Sequence, residues 1–269
     1  MPIYKGSQNQ GLIYKGGSII TQVYKGSTLV YRFGFDPVTF TSNGTWKVPP
    51  GIRQIRVDCV GCQGYSNSQA PGGYGGRVQC ILNVTPGQVL NIIIGTIASN
   101  VHIATYNACD IRIGGTAYSN RVIVAGGGGN CSLNTRDGTY GKGGAGGGVT
   151  GGTGGEVTRC YGGSGGTQTA GGAGGNRKDT GAGANGNAGS LALGGAGAYG
   201  TQSYGGTGGS GAGGGGYYGG GSGAWYEYFG WNCGGGGGGS SYTHPTLCSE
   251  VVHTQGYRAG SGYVTISMV

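Results

Sequence analysis

The residues best suited to metal or acid–base chemistry in this 269-residue chain are eight cysteines, three histidines and eight carboxylates. A closed zinc site gathers four such ligands, usually as two close-spaced pairs. Cys59-Val60-Gly61-Cys62 supplies one pair, but Cys109, Cys131, Cys160, Cys233 and Cys248 stand alone. Cys59 is expected as a buried thiol and Cys62 as a loop thiol. The even count permits disulfides in oxidising surroundings, for example Cys131 with Cys160 or Cys233 with Cys248. Gly162-Gly163-Ser164-Gly165-Gly166 fits G-x-S-x-G, yet glycine abundance produces it by chance and no strand-to-helix elbow surrounds it. His102, His244 and His253 and the scattered carboxylates form no acid–base pair or triad. Glycan hydrolysis needs two poised carboxylates, and no such pair lies near the aromatic cluster described next. No catalytic residue, metal or cofactor is expected.

Recognition chemistry is better represented. Tyr217-Tyr218 and the run Ala224-Trp225-Tyr226-Glu227-Tyr228-Phe229-Gly230-Trp231 form a dense aromatic cluster with almost no aliphatic partners. Such rings stack on sugar faces and anchor interfaces, while tyrosine and tryptophan edges add hydrogen bonds. The alternative is a small core covering the open side of its surroundings. Arg177 and Lys178, within Asn176-Arg177-Lys178-Asp179, suit a carboxylate or phosphate on a capsule or lipopolysaccharide. Asn134-Thr135-Arg136-Asp137 is a similar group, and for both an ordinary solvated turn is the alternative. The net charge is +8, but the basic residues are scattered, so no nucleic-acid partner is expected. The longest apolar stretch, around Val89 to Ile94, is too short to cross a bilayer, so no membrane insertion is expected. Met1-Pro2-Ile3-Tyr4-Lys5 leads into polar and glycine residues rather than a secretory signal, which points to synthesis in a cytoplasm and release by another route.

These residues must be positioned by an unusual scaffold. Glycine accounts for 72 residues, most of them between Gly126 and Gly239, and only 9% of residues are charged. No proline lies between Gly87 and His244, and segments such as 211–218 break any Gly-X-Y register, which excludes collagen. Tyr161, Leu191, Leu193, Tyr199 and Tyr204 recur inside the tract, unlike a solvated linker. The order expected of such a composition is extended, three-fold polyproline-II-type helices packed side by side. Around it, Ile55, Val57 and Cys59 alternate with Arg56 and Asp58, and Val78, Cys80, Leu82 and Val84 with Arg77, Gln79 and Asn83, the period of half-buried strands. Further strands are predicted at 38–40, 45–48, 88–94, 111–113, 121–124 and 262–267, and no long helix is evident. Ahead of them, Ile3-Tyr4-Lys5-Gly6, Ile13-Tyr14-Lys15-Gly16 and Val23-Tyr24-Lys25-Gly26 recur at ten-residue steps, each predicted as a short strand closed by a glycine turn. Three such strands build no core alone, so Tyr4, Tyr14 and Tyr24 are expected to attach the chain to a partner or to further copies. The expected organisation is 1–35 repeats, 36–125 β-sandwich, 126–240 glycine-rich insertion and 241–269 return strands, an all-β fold.

Phe40-Thr41-Ser42-Asn43-Gly44-Thr45-Trp46-Lys47-Val48-Pro49, Ile55 to Gly61, Val84-Thr85-Pro86-Gly87-Gln88, Val124 to Gly129, Gly234 to Tyr242 and Gly260 to Ile266 together resemble the glycine-rich domain of bacteriophage tail-fibre proteins. The Ile-Tyr-Lys-Gly repeats resemble segments at the start of phage tail and fibre proteins. The glycine-rich domain of anaplastic lymphoma kinase-type receptors is a more distant likeness. The resemblance implies a rigid antiparallel sandwich, jelly-roll or TNF-like, carrying a bundle of polyglycine-II helices whose far loops touch the host surface. It also implies a virion protein, tail-fibre or tail-tip adhesin, oligomeric with a trimer favoured, that binds a host glycan or outer-membrane protein and other virion proteins. A structural virion component, such as a capsid decoration or head-fibre protein, is the alternative, with a glycan depolymerase third.

Overall fold

The computed structural model describes residues 13–15, 18–20, 22–133, 138–201, 207–227 and 230–269. The N-terminal repeats form hairpins: β1 (Ile13–Lys15) pairs antiparallel with β2 (Ser18–Ile20), and β3 (Gln22–Lys25) with β4 (Thr28–Arg32). Each of these two units is therefore a strand pair rather than a single strand. Gly26, at φ +63°, supplies the left-handed turn conformation between β3 and β4. Tyr24 is 54% exposed, and Tyr4 lies outside the described residues.

Next come β5 (Val38–Phe40), β6 (Gly44–Lys47), β7 (Gln54–Val60), β8 (Gly75–Asn83), β9 (Val89–Ile93), β10 (Cys109–Ile113) and β11 (Arg121–Ala125). Short strands β12 (Gly183–Ala184), β13 (Tyr199–Thr201), β14 (Thr207–Gly209), β15 (Trp225–Glu227) and β16 (Trp231–Cys233) follow, then β17 (Tyr242–Thr243), β18 (Cys248–Arg258) and β19 (Tyr263–Ser267). Two five-stranded antiparallel sheets, ordered β18-β8-β7-β19-β5 and β17-β11-β10-β9-β6, face one another across a single core, as in a β-sandwich. Ile55, Val57, Val78, Leu82, Val264 and Ile266 from the first sheet meet Leu90, Ile92, Ile111 and Ile123 from the second. Each contributes about 1.5–3 kcal/mol by leaving water. On the outer face, Arg77 grips Asp58 with two bonds of 2.7 and 2.8 Å.

Between β11 and β17 the chain forms little regular structure, yet 126–132, 219–224 and 234–241 are continuously buried. Their backbone groups pair in steps of three. The N–H groups of Gly127, Asn130 and Leu133 donate to the carbonyls of Gly215, Ala212 and Gly209; those of Gly128 and Cys131 to Cys62 and Tyr65; those of Gly129 and Ser132 to Gly144 and Gly141. Gly234, Gly237 and Ser240 donate likewise to Ala224, Gly221 and Tyr218, Gly235 and Gly238 to Gly155 and Gly152, and Gly236 and Gly239 to Asn130 and Gly127. The carbonyls of 234–240 accept from three further segments, at 211–217, 163–166 and 144–147. One segment is thus hydrogen-bonded to six neighbours, which offsets the large entropy glycine loses on ordering. Residues 62–76, from the β7–β8 connection, join the same network.

A cluster of buried charge fastens these segments to the second sheet. Arg112 holds Asp110 through bonds of 2.6 and 2.9 Å, and the Tyr106 hydroxyl donates to the same carboxylate. Arg121 of β11 donates to Tyr118 O at 3.0 Å, Gly216 O at 2.8 Å and Tyr217 O at 3.2 Å. Its guanidinium lies over Tyr217, whose ring stacks on Tyr242 at 4.0 Å.

The disulfides that the even count permits, such as Cys131 with Cys160 or Cys233 with Cys248, are not formed: all eight cysteines are free thiols. Cys131 packs with Ala70 and Val101, whereas Cys160 packs with Val157, Ala224 and Tyr226 in a separate cluster. Cys233 is in β16 and Cys248 in β18, on different sheets. Cys62 lies in the β7–β8 connection, as expected of a loop thiol, yet is fully buried, donating to Gly95 O at 3.2 Å and accepting from Gly262 N–H at 3.1 Å.

A methyl group at Gly236 would sit 1.9 Å from the Ala212 carbonyl oxygen, whereas at Gly87, φ +82°, it meets nothing within 4 Å. Gly236→Ala is expected to lower stability by about 3 kcal/mol or more, and Gly87→Ala by about 1 kcal/mol from backbone strain alone. Asp110→Ala, which strands the buried Arg112 charge, is expected to lose about 3–5 kcal/mol. Urea unfolding followed by circular dichroism checks all three.

Candidate recognition site

Tyr161, Ala224 and Gly234 are linked by hydrogen bonds of 3.2 and 3.0 Å at the end of the glycine segments away from the sandwich. At the other end, Gly126 N–H meets Ser241 Oγ, beside β11 and β17. Three short interruptions of the glycine series converge on the far end: 156–161, 176–185 and 225–233. The reason is local. Where bulky residues replace glycine the close packing of segments cannot continue, so the chain turns and side chains emerge.

Strand β15 is the centre of this end, paired with β12 through Gly183↔Tyr226 and Ala184↔Trp225, and with β16 through Trp225↔Cys233 and Glu227↔Trp231. Trp225 and Trp231 stack at 4.5 Å and 15°. Trp231 in turn lies flat on β14: a Cβ at Gly208 would fall 2.3 Å from it. Tyr226 donates to Thr180 O at 3.4 Å.

Charge collects beside the rings. Lys178 Nζ lies 3.0 Å from Glu156 Oε2, donates to Val157 O at 3.0 Å and sits 4.5 Å above the Tyr161 ring. Arg159 pairs with Asp179 and lies over Tyr226 at 5.5 Å. Arg177 donates to Gly181 O, and its buried Nε has no hydrogen-bond partner among the described residues. Glu227 N–H donates to Ala182 O at 2.9 Å. Burial pushes the Cys160 thiol beneath this cluster up to about 12, so it stays protonated at neutral pH. The arrangement offers a half-buried indole, an exposed tyrosine and cationic groups on one surface, a combination that binds rings and anions.

The predicted aromatic cluster is divided. Trp231 and Tyr226 are 4% and 5% exposed and serve as core, not contact surface. Tyr217 and Tyr218 are half-buried at the sandwich end, separated from Trp225 by extended chain of roughly 20 Å. Trp225 and Arg177 are half-buried and Lys178 exposed at the far end. Tyr228, Phe229 and residues 134–137 lie outside the described residues. Residue type and spacing alone single out neither Glu156 nor Arg159, and mark Tyr161 only as an apolar member of the tract. The signal available was the break that 156–161 makes between two glycine runs.

Among the described residues, no group of three or more His, Cys, Asp or Glu is placed to hold a metal, and no helix is long and apolar enough to cross a membrane. No protein-family model matches the chain, and no curated protein matches it significantly.

Trp231→Ala is expected to lose about 3–5 kcal/mol of stability, while Trp225→Ala loses about 1 kcal/mol, mainly the stacking contribution. Thermal unfolding of both variants distinguishes the buried ring from the accessible one.

Proposed function

We propose that this chain is a bacteriophage virion protein, a tail-fibre or tail-tip adhesin, that binds a host-surface glycan or outer-membrane protein through the far end of its glycine-rich region. The observation that carries this is the convergence there of Lys178, Arg177, Arg159, Tyr161 and Trp225 from three separate interruptions of an otherwise nearly chargeless tract. Within this proposal the glycine segments are polyglycine-II helices, and the step-of-three hydrogen bonding supports it, since such helices have three residues per turn. The sandwich is of jelly-roll or TNF-like type, and the N-terminal hairpins with Tyr4, Tyr14 and Tyr24 dock the protein to the particle as a homo-oligomer, a trimer. A rigid bundle holds the binding surface away from the particle with little backbone entropy left to lose on contact, which favours affinity.

A structural virion component, such as a capsid decoration or head-fibre protein, is the second proposal, favoured by the burial of Tyr226 and Trp231.

The test is binding of the labelled full chain to intact bacteria across a strain panel that includes capsule-deficient and outer-membrane-protein-deficient strains. Strain-selective binding is expected. The triple variant Tyr161→Ala, Lys178→Ala, Trp225→Ala is expected to keep its circular dichroism spectrum and to lose at least tenfold in affinity. Absence of binding to every strain by the folded wild-type oligomer would favour the structural role.

A further inference from the structure

Two pairs of cysteines in the sandwich lie close enough to perturb each other's ionisation: Cys62 with Cys109, and Cys80 with Cys248. The first pair is sealed, both members being fully buried between Gly95 and Gly262. The second has a route to solvent. Cys248 opens β18, the outermost strand of its sheet, and is half-buried, whereas Cys80, on the neighbouring β8, is 1% exposed.

In the ladder Cys248 stands opposite Leu82, so Cys80 lies two residues along β8 on the same face. In a regular antiparallel ladder such a diagonal is about 7–8 Å between Cα atoms, beyond the roughly 4.4–6.8 Å that a disulfide spans. This ladder is not regular. Its register slips between Ser249 and Val252, leaving Glu250 and Val251 together opposite Cys80. Glu250 holds φ +50°, a conformation rarely adopted by a residue with a side chain. A bulge of this kind bends the strand and re-aims neighbouring side chains, and Cys248 packs against the core cluster to which Cys80 belongs. Contact with Cys80, opposed by burial and helped by a backbone bond from the His244 turn, lowers the pKa of Cys248, while the same contact together with burial raises that of Cys80. The half-buried member is thus the better thiolate and the fully buried one its resolving partner.

We propose that Cys80 and Cys248 are a latent disulfide that closes in the folded protein on meeting a small-molecule disulfide, stapling β18 to β8. The Cys248 thiolate attacks one sulfur of glutathione disulfide, expelling a glutathione thiolate and forming a mixed disulfide. Cys80 gives up its proton and attacks Cys248 Sγ, expelling the second glutathione. The two cysteines lose two electrons and two protons in all, and the glutathione disulfide takes them up to become two glutathione thiols. The closed ring encloses residues 81–247, hence the whole glycine tract. A covalent closure of that length acts strongly on the unfolded chain.

The reduced, folded full-length protein is incubated with glutathione disulfide, then denatured, alkylated and mapped by mass spectrometry, with melting followed in parallel. Two of the eight thiols are expected to escape alkylation as a linked Cys80–Cys248 peptide, with the melting temperature raised by several degrees. Cys248→Ser is expected to keep all its thiols and show no rise; Cys80→Ser is expected to stop at a stable glutathione adduct on Cys248. Retention of all eight thiols by the wild type, a linked pair at other positions, or an unmodified Cys248 in Cys80→Ser would overturn the proposal.

Discussion

The fold depends on a spacing set by backbone alone. Throughout the glycine segments, a Cβ would fall about 2 Å from a neighbouring carbonyl, as at Gly128 against Gly73 O (1.8 Å) and Gly238 against Ala145 O (2.0 Å). A side chain needs far more room than this, so the segments lie closer than strands or helices with side chains can. At that distance the peptide groups themselves are the core. Buried polar groups must be paired, and here the pairing is distributed around each segment rather than confined to the two edges of a strand. The sandwich is conventional by comparison, with apolar side chains filling the space between its sheets.

The join between these two kinds of interior is the point of greatest electrostatic risk. Asp110, Arg112 and Arg121 are almost completely buried where the second sheet meets the glycine segments. A backbone-only interior presents carbonyl ends that apolar side chains cannot satisfy, and guanidinium donors can. Arg121 does this for Gly216 and Tyr217, while Arg112 is neutralised by Asp110. The rings of Tyr118 and Tyr217 lie over the cations, and Tyr242 stacks on Tyr217 behind them.

Much of this was legible in the sequence. Period-two alternation marked β7 and β8, and β5, β6, β9, β10, β11 and β19 fell within a residue or two of the predicted spans. Strand β18 was not legible although it is the longest, because an edge strand exposed along most of its length carries no apolar alternation. The aromatic run 217–231 was visible as chemistry but not as geometry. Neighbours in sequence end up at opposite ends of an extended segment, and Arg159 and Lys178, distant in sequence, end up together. The disulfide guesses failed for the same reason: cysteine spacing carries no information about which segments lie side by side when the segments differ so little in composition.

The three-residue step of the hydrogen bonds also governs how such a tract can change in length. Each residue in a repeat of three faces a different neighbour, so adding three residues to a segment restores every donor to its old direction. Adding one or two aims every later N–H at the wrong segment. Length in this region is therefore quantised, and drift by single residues is confined to the turns between segments, where the side chains emerge.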